Sequence, residues 1–221
     1  MEKINEKIKE KKNKRNEQNE SISLIKRIIG HSKTIFKHKW LVFKLCCKAG
    51  IPWRGFVHDL SKFSPSEFWP GVKYYTEGKY SPILNEKLNT GYSNAWLHHK
   101  GRNKHHLEYW VDYATRIVAP VIPYKYLVEA ICDELSAGMV YSGENWNNGT
   151  QYEYYTTKQR LQTIVNPKVD LFLTEVFFEV KEKGIEKTIV KRKLKAKYKK
   201  YCIDDNTMYE YEVQGGVWKR I

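Results

Sequence analysis

The chain has 221 residues, enough for one domain with a sizeable core and marginal for two. Its formal charge of +14 sits at the ends: residues 1–48 hold 14 Lys/Arg against 5 acids, residues 181–201 hold 10 against 2, and the remainder sums to −3. No apolar run approaches the ~18 residues of a membrane span, the basic N-terminus lacks the apolar core of a secretory signal, and four cysteines without a CxxC pair exclude a disulfide scaffold. A soluble, cytoplasmic protein with no membrane partner is expected, with its cysteines reduced and Cys46 and Cys47 acting as small apolar fillers.

Residues 1–20 are nearly all Lys, Glu, Asn, Gln and Arg, a composition that buries little surface and predicts a frayed or disordered extension. After Ser21 and Ser23, which suit N-caps, Ile25, Ile28, Ile29, Ser32, Ile35, Phe36, Lys39, Trp40 and Phe43 recur at three- and four-residue steps. That spacing predicts a long amphipathic helix, ending near Gly50 and Pro52. A shorter helix is expected to run through His58-Asp59, followed by a turn at Ser64-Pro65 and a new helix with Ser64 as cap and Glu67 at its third position. The stretch "TEGKYSPILNEKLNTGYS" has the residues of a loop with one helical turn. Helical pattern resumes in "SNAWLHHKGRNKHHLEYWVDYA", in "YKYLVEAICDELSAGMVY", and in "NPKVDLFLTEVFFEVKEKG", which has Asn166 as cap, Pro167 at the first helical position and Gly184 past its end. A basic helix and a terminal hairpin with a Gly-Gly turn follow. The expected fold class is all-α: a helical domain over 21–184, preceded by the basic extension 1–20 and followed by a basic helix and short hairpin over 185–221.

All seven histidines lie between positions 31 and 106. His38 falls on the first helix, His58 adjoins Asp59, and His98, His99, His105 and His106 cluster in "HHKGRNKHH"; Asp133 follows an apolar run on a later helix. Imidazoles and carboxylates suit Zn, Fe, Mn and related divalent ions, and separate helices can converge such ligands on one point. The cluster is equally legible as a basic patch for phosphates, because Lys100, Arg102 and Lys104 are interleaved with it. Aromatic residues flank these motifs, and helical spacing favours packing over base stacking for most of them.

The order "H…HD…HH…HH…D", with "HDLSK" close to an "HDxGK" form, resembles the HD-domain superfamily of metal-dependent phosphohydrolases. The resemblance covers roughly residues 30–140, with Ser61 replacing the usual glycine. It implies an HD-like helical bundle in which His38 is the first metal ligand, His58 and Asp59 the pair, and Asp133 the last, with His31 a competitor for His38. His98, His99, His105 and His106 supply the candidates for a second metal. A fuller match, through "HDLSKFSPSEF" and "HHKGRN", is to an uncharacterised bacterial and phage family, DUF5662.

The superfamily resemblance implies one or two divalent transition ions (Zn, Mn or Fe) and a nucleotide or related phosphate ester as substrate. Asp59 would bridge the metals, Lys62 would neutralise a phosphate, and Arg102 with Lys100 and Asn103 would hold it, with Glu108 or Glu134 steadying a histidine. Two alternatives use the same residues. Some HD-like proteins resemble diiron oxygenases, and a basic helical protein with a structural metal would bind nucleic acid through its charged ends.

Overall fold

The computed structural model describes residues 22–78, 80–113 and 117–202, with the backbone of strands at 209–214 and 217–220. The expectations for residues 1–20, Ser21 and the Gly215-Gly216 turn lie outside the described residues. The fold class is all-α, accompanied by a small sheet. By contact density the chain divides into two units, Met1–His38 with Asp59–Arg102, and Lys39–His58 with Asn103–Ile221.

Helix α1, Leu24–Ala49, starts where the Ser23 hydroxyl accepts the Lys26 N–H at 3.4 Å and ends before Gly50, close to the expected bounds. Its fully buried face shares only Ile35 with the apolar stripe singled out above. His31, Ile35, His38, Val42, Leu45, Cys46 and Ala49 are buried, whereas Ile25, Ile29, Phe36 and Trp40 face solvent. Cys46 is the filler expected of it, but Cys47 is exposed.

Helix α2, Pro52–Val57, stops before the His-Asp pair rather than running through it. His58 is extended (ψ 130°) and Asp59 is left-handed (φ 52°, ψ 31°), a conformation that Asp visits more readily than most side chains. The chain then makes a 3-10 turn, Leu60–Phe63, and enters α3, Pro65–Lys73. The expected capping box is absent: the Ser64 side chain makes no cap bond, and Glu67 is buried and turned to two histidines. Helix α4, Pro82–Thr90, replaces the expected loop; Ser81 caps it by accepting the Leu84 N–H at 3.1 Å. Helix α5 is Asn94–Arg102. In the first unit, α3 packs against α4 and α5.

In the second unit a 3-10 turn, Leu107–Trp110, leads to strand β1, Ile117–Ala119, and helix α6, Tyr124–Ser142. Helix α7, Thr150–Tyr154, runs into a π-helical turn, Tyr155–Gln159, a segment the sequence pattern did not disclose. Helix α8, Pro167–Lys183, has the expected ends: the Asn166 side chain accepts the Lys168 N–H, Pro167 opens it, and Gly184 at φ 80° closes it. Short α9, Ile185–Thr188, and basic α10, Lys191–Cys202, follow. The terminal hairpin forms as β2, Tyr209–Gln214, and β3, Val217–Arg220, and β2 also pairs antiparallel with β1.

The core of this unit joins Val42, Leu45 and Cys46 of α1 to Leu127, Ile131 and Leu135 of α6 and Phe172, Val176 and Phe177 of α8. Burying each large side chain contributes about 1.5–3 kcal/mol. This packing fixes the face of α6 that carries Glu129 and Asp133, one helical turn apart.

Candidate metal centre

The second unit holds two imidazoles between two carboxylates. His58 Nδ1 lies 3.1 Å from Glu129 Oε1, and His58 Nε2 lies 3.4 Å from Asp133 Oδ1. His105 repeats the arrangement, with Nδ1 3.4 Å from Glu129 Oε1 and Nε2 3.6 Å from Asp133 Oδ2. The two rings are 4.5 Å apart, and His105 adjoins His106 at 4.3 Å. His58, His105 and Glu129 are buried, and each offers a ligand atom within 4.8 Å of the others.

Glu129 organises this set. Its Oε2 accepts from Arg54 Nε at 2.7 Å and pairs with Arg54 Nη2 at 2.6 Å, which leaves Oε1 for the imidazoles. Burial raises its pKa, but hydrogen bonds from His105 and His58 outweigh this and hold the carboxyl down at about 2. A carboxylate at Nδ1 favours the proton there and turns Nε2 outward as a donor lone pair. The Nε2-to-Asp133 separations exceed a good hydrogen bond. They match two ligands on one tetrahedral ion, whose ~2.1 Å bonds put donor atoms about 3.4 Å apart.

The first unit builds a second set around Asp59, which is 1% exposed. Lys62 Nζ pairs with Asp59 Oδ2 at 2.6 Å, three residues on, and His99 Nε2 lies 3.4 Å from Asp59 Oδ1. Glu67 serves His99 as Glu129 serves His58: its Oε2 is 2.6 Å from His99 Nδ1, while its Oε1 takes His98 Nδ1 at 2.7 Å. Burial works against ionisation of Glu67, yet the hydrogen bonds and charge of His99, with His98 and Ser61, lower its pKa. His38 offers a nitrogen within 4.8 Å of Asp59.

Of the expected ligands, the first unit brings His38 and His99 to Asp59, and the second brings His58 and His105 to Asp133. His58 and Asp59 are consecutive, so one peptide bond joins the two sets. His98 is tied to Glu67. His31, the competitor of His38, packs its ring on Phe68 and Tyr75, and burial, with the Lys62 charge, lowers its pKa to about 4. Lys100 and Asn103 are half-buried and Arg102 is exposed at the end of α5.

Sequence reasoning missed Glu129, Glu67 and Arg54. Glu134, expected to steady a histidine, instead accepts from Gln151 at 2.8 Å and from Gln159 at 2.7 Å. Glu129 had a signal: it stands four residues before Asp133, on the same helical face, inside an apolar run.

Buried clusters of imidazole and carboxylate, set on helices and on the turns at His58-Asp59 and His105, give this all-α protein groups that could hold a metal ion. The family model described as "Family of unknown function (DUF5662)" matches residues 27–179, and the chain belongs to that family. The matched span contains every residue from His38 to Asp133 discussed above. No curated protein and no solved structure matches the chain.

Proposed function

We propose that this chain is a divalent-metal phosphohydrolase or phosphodiesterase of HD type, acting on a nucleotide or related phosphate ester. His38, His58, Asp59 and Asp133 are its proposed metal ligands, with His99, His105 and His106 as donors to a second ion. The observation that carries the reading is the pair of imidazoles His58 and His105, each with Nδ1 toward buried Glu129 and Nε2 toward Asp133.

The donor set fits Zn, Mn or Fe, since neutral imidazole nitrogens and carboxylate oxygens are ligands for all three. Such an ion supplies Lewis acidity toward a phosphoryl oxygen and lowers the pKa of water. The residues do the rest. Glu129 holds the proton on Nδ1 of His58, and Glu67 does the same for His99, so that Nε2 is the donor in each; His105 turns its Nδ1 toward Glu129 at the longer distance of 3.4 Å. Arg54 fixes Glu129 by charge. Lys62, beside Asp59, meets a phosphate oxygen, and Arg102 with Lys100 and Asn103 binds the rest of the phosphate, Arg by bidentate contact.

Protein purified without chelator should carry transition metal and release phosphate or cleave a diester in a nucleotide panel. Asp59→Asn and Asp133→Asn should lose both properties. Metal-free protein whose hydrolytic activities survive His58→Ala and Asp59→Ala unchanged contradicts the reading. Iron with oxygen-dependent turnover and no phosphate release would transfer the same ligands to the oxygenase alternative.

A further inference from the structure

Helix α1 presents to solvent a face that neither the core nor the metal centre uses. At 100° per residue, Ile25, Ile29, Phe36 and Trp40 fall within an arc of about 60°. All four are between 49% and 70% exposed. Lys26, Lys33, Lys37, Lys44 and Lys48 occupy the adjoining arc of about 60°. Of these, Lys48 is paired with Glu186, and Lys44 Nζ lies 5.9 Å over the Trp40 ring. The sequence holds no acid between Glu20 and Asp59, and eight Lys/Arg from residue 24 to 58.

Helix α2 carries two further exposed aromatic side chains. Trp53 and Phe56 are 70% and 62% exposed, with rings stacked 5.6 Å apart. Gly55, between them, lets α2 lie against α1, since a Cβ there would stand 2.9 Å from the Phe43 Cα and 2.7 Å from the Cys46 Cβ. Phe43 in turn stacks on Trp40 at 5.8 Å. Within the second unit, exposed Trp40 and half-buried Phe43 on α1 thus lie beside α2, which carries exposed Trp53 and Phe56.

We propose that this surface docks peripherally on an anionic lipid bilayer, with the aromatic side chains entering the boundary between headgroups and acyl chains and the lysine stripe meeting lipid phosphates. No helix among the described residues is long and apolar enough to cross a membrane. Lying on one requires only an apolar stripe edged with cations, the pattern of interfacial helices, and Trp and Phe favour that depth. Charge selects the occupant. A second copy of the chain would set lysines against lysines, whereas anionic lipid neutralises them. A single-stranded nucleic acid would satisfy the charge and the rings, but Ile25 and Ile29 have no π face for a base to stack on. The inference is independent of the metal chemistry.

Sedimentation of the full chain with phosphatidylcholine vesicles, with and without about one-third phosphatidylglycerol, tests it. The expected result is partition into the anionic vesicles alone, weakened by salt, with tryptophan emission quenched by bromine-labelled acyl chains. Trp40→Ser with Trp53→Ser should lower that partition on the order of ten-fold, with circular dichroism and metal content unchanged. A variant that loses its helical signal is replaced by Lys33→Glu with Lys37→Glu, which should abolish the preference for anionic lipid. The proposal is overturned by absence of partition into anionic vesicles, by partition indifferent to both variants, or by these variants removing oligonucleotide binding or self-association from a protein that ignores lipid.

Discussion

The two carboxylates that orient histidines matter most at the scale of single residues. Glu129→Gln removes the charge that holds the Nδ1 proton of His58 and faces Nδ1 of His105, and it should weaken metal binding about 10- to 100-fold in a competition titration. Retention of full affinity would show that Glu129 serves only Arg54. His31 gives a separate prediction, in stability. Its pKa falls from 6.5 in the unfolded chain to about 4 in the fold, so the unfolded state takes up the proton first as pH drops. Stability is therefore full above pH 6.5 and declines until about pH 4, by up to ~3 kcal/mol at about 1.4 kcal/mol per pH unit. His31→Gln should flatten that part of the urea-midpoint profile, and a profile with the wild-type slope would contradict it. The candidate ligands were legible in the sequence as an ordered series of histidines and aspartates. Their carboxylate partners were not, because a single acid on an apolar helix reads the same whether it meets arginine or imidazole. Glu129 finds its partners at positions 54, 58 and 105, far from it along the chain.

Among the elements, α8 was readable to its ends because its cap, opening proline and closing glycine are local. Asn166 is 1% exposed and does two jobs, accepting the Lys168 N–H and donating Nδ2 to the Ala119 carbonyl at 2.9 Å. Asn166→Ala should cost about 1–2 kcal/mol of stability in denaturant titration, more than a cap bond at an exposed helix end. The break at His58-Asp59 was not readable. It depends on a left-handed aspartate, and periodicity carries no sign of φ. The α1 stripe misled for a related reason: a period of 3.6 identifies a face but not which side of it the core takes. The buried side is carried by His31 and His38 with small and branched residues, Cys46 and Ala49 among them, while the larger aromatics Phe36 and Trp40 lie outside.

Across the whole molecule, the basic charge expected at the ends is carried partly by α1 and α10, whereas α6 and α8 each hold more acids than bases. The all-α class followed from helical spacing, whereas the division into two units did not, because each is built from chain segments separated in sequence. Metal that binds the folded chain alone must also stabilise it, by about 2.7 kcal/mol at a hundred-fold excess over the dissociation constant. For a chain of this size that corresponds to a rise in Tm of roughly 5–10 °C. The most direct measurement is this shift on adding Zn, Mn or Fe to chelator-stripped protein, compared with Asp133→Asn under the same conditions. Metal is predicted to raise the Tm of the wild type by several degrees and to leave the variant unmoved. Equal shifts in both proteins, or none in either, would contradict a metal centre built on Asp133.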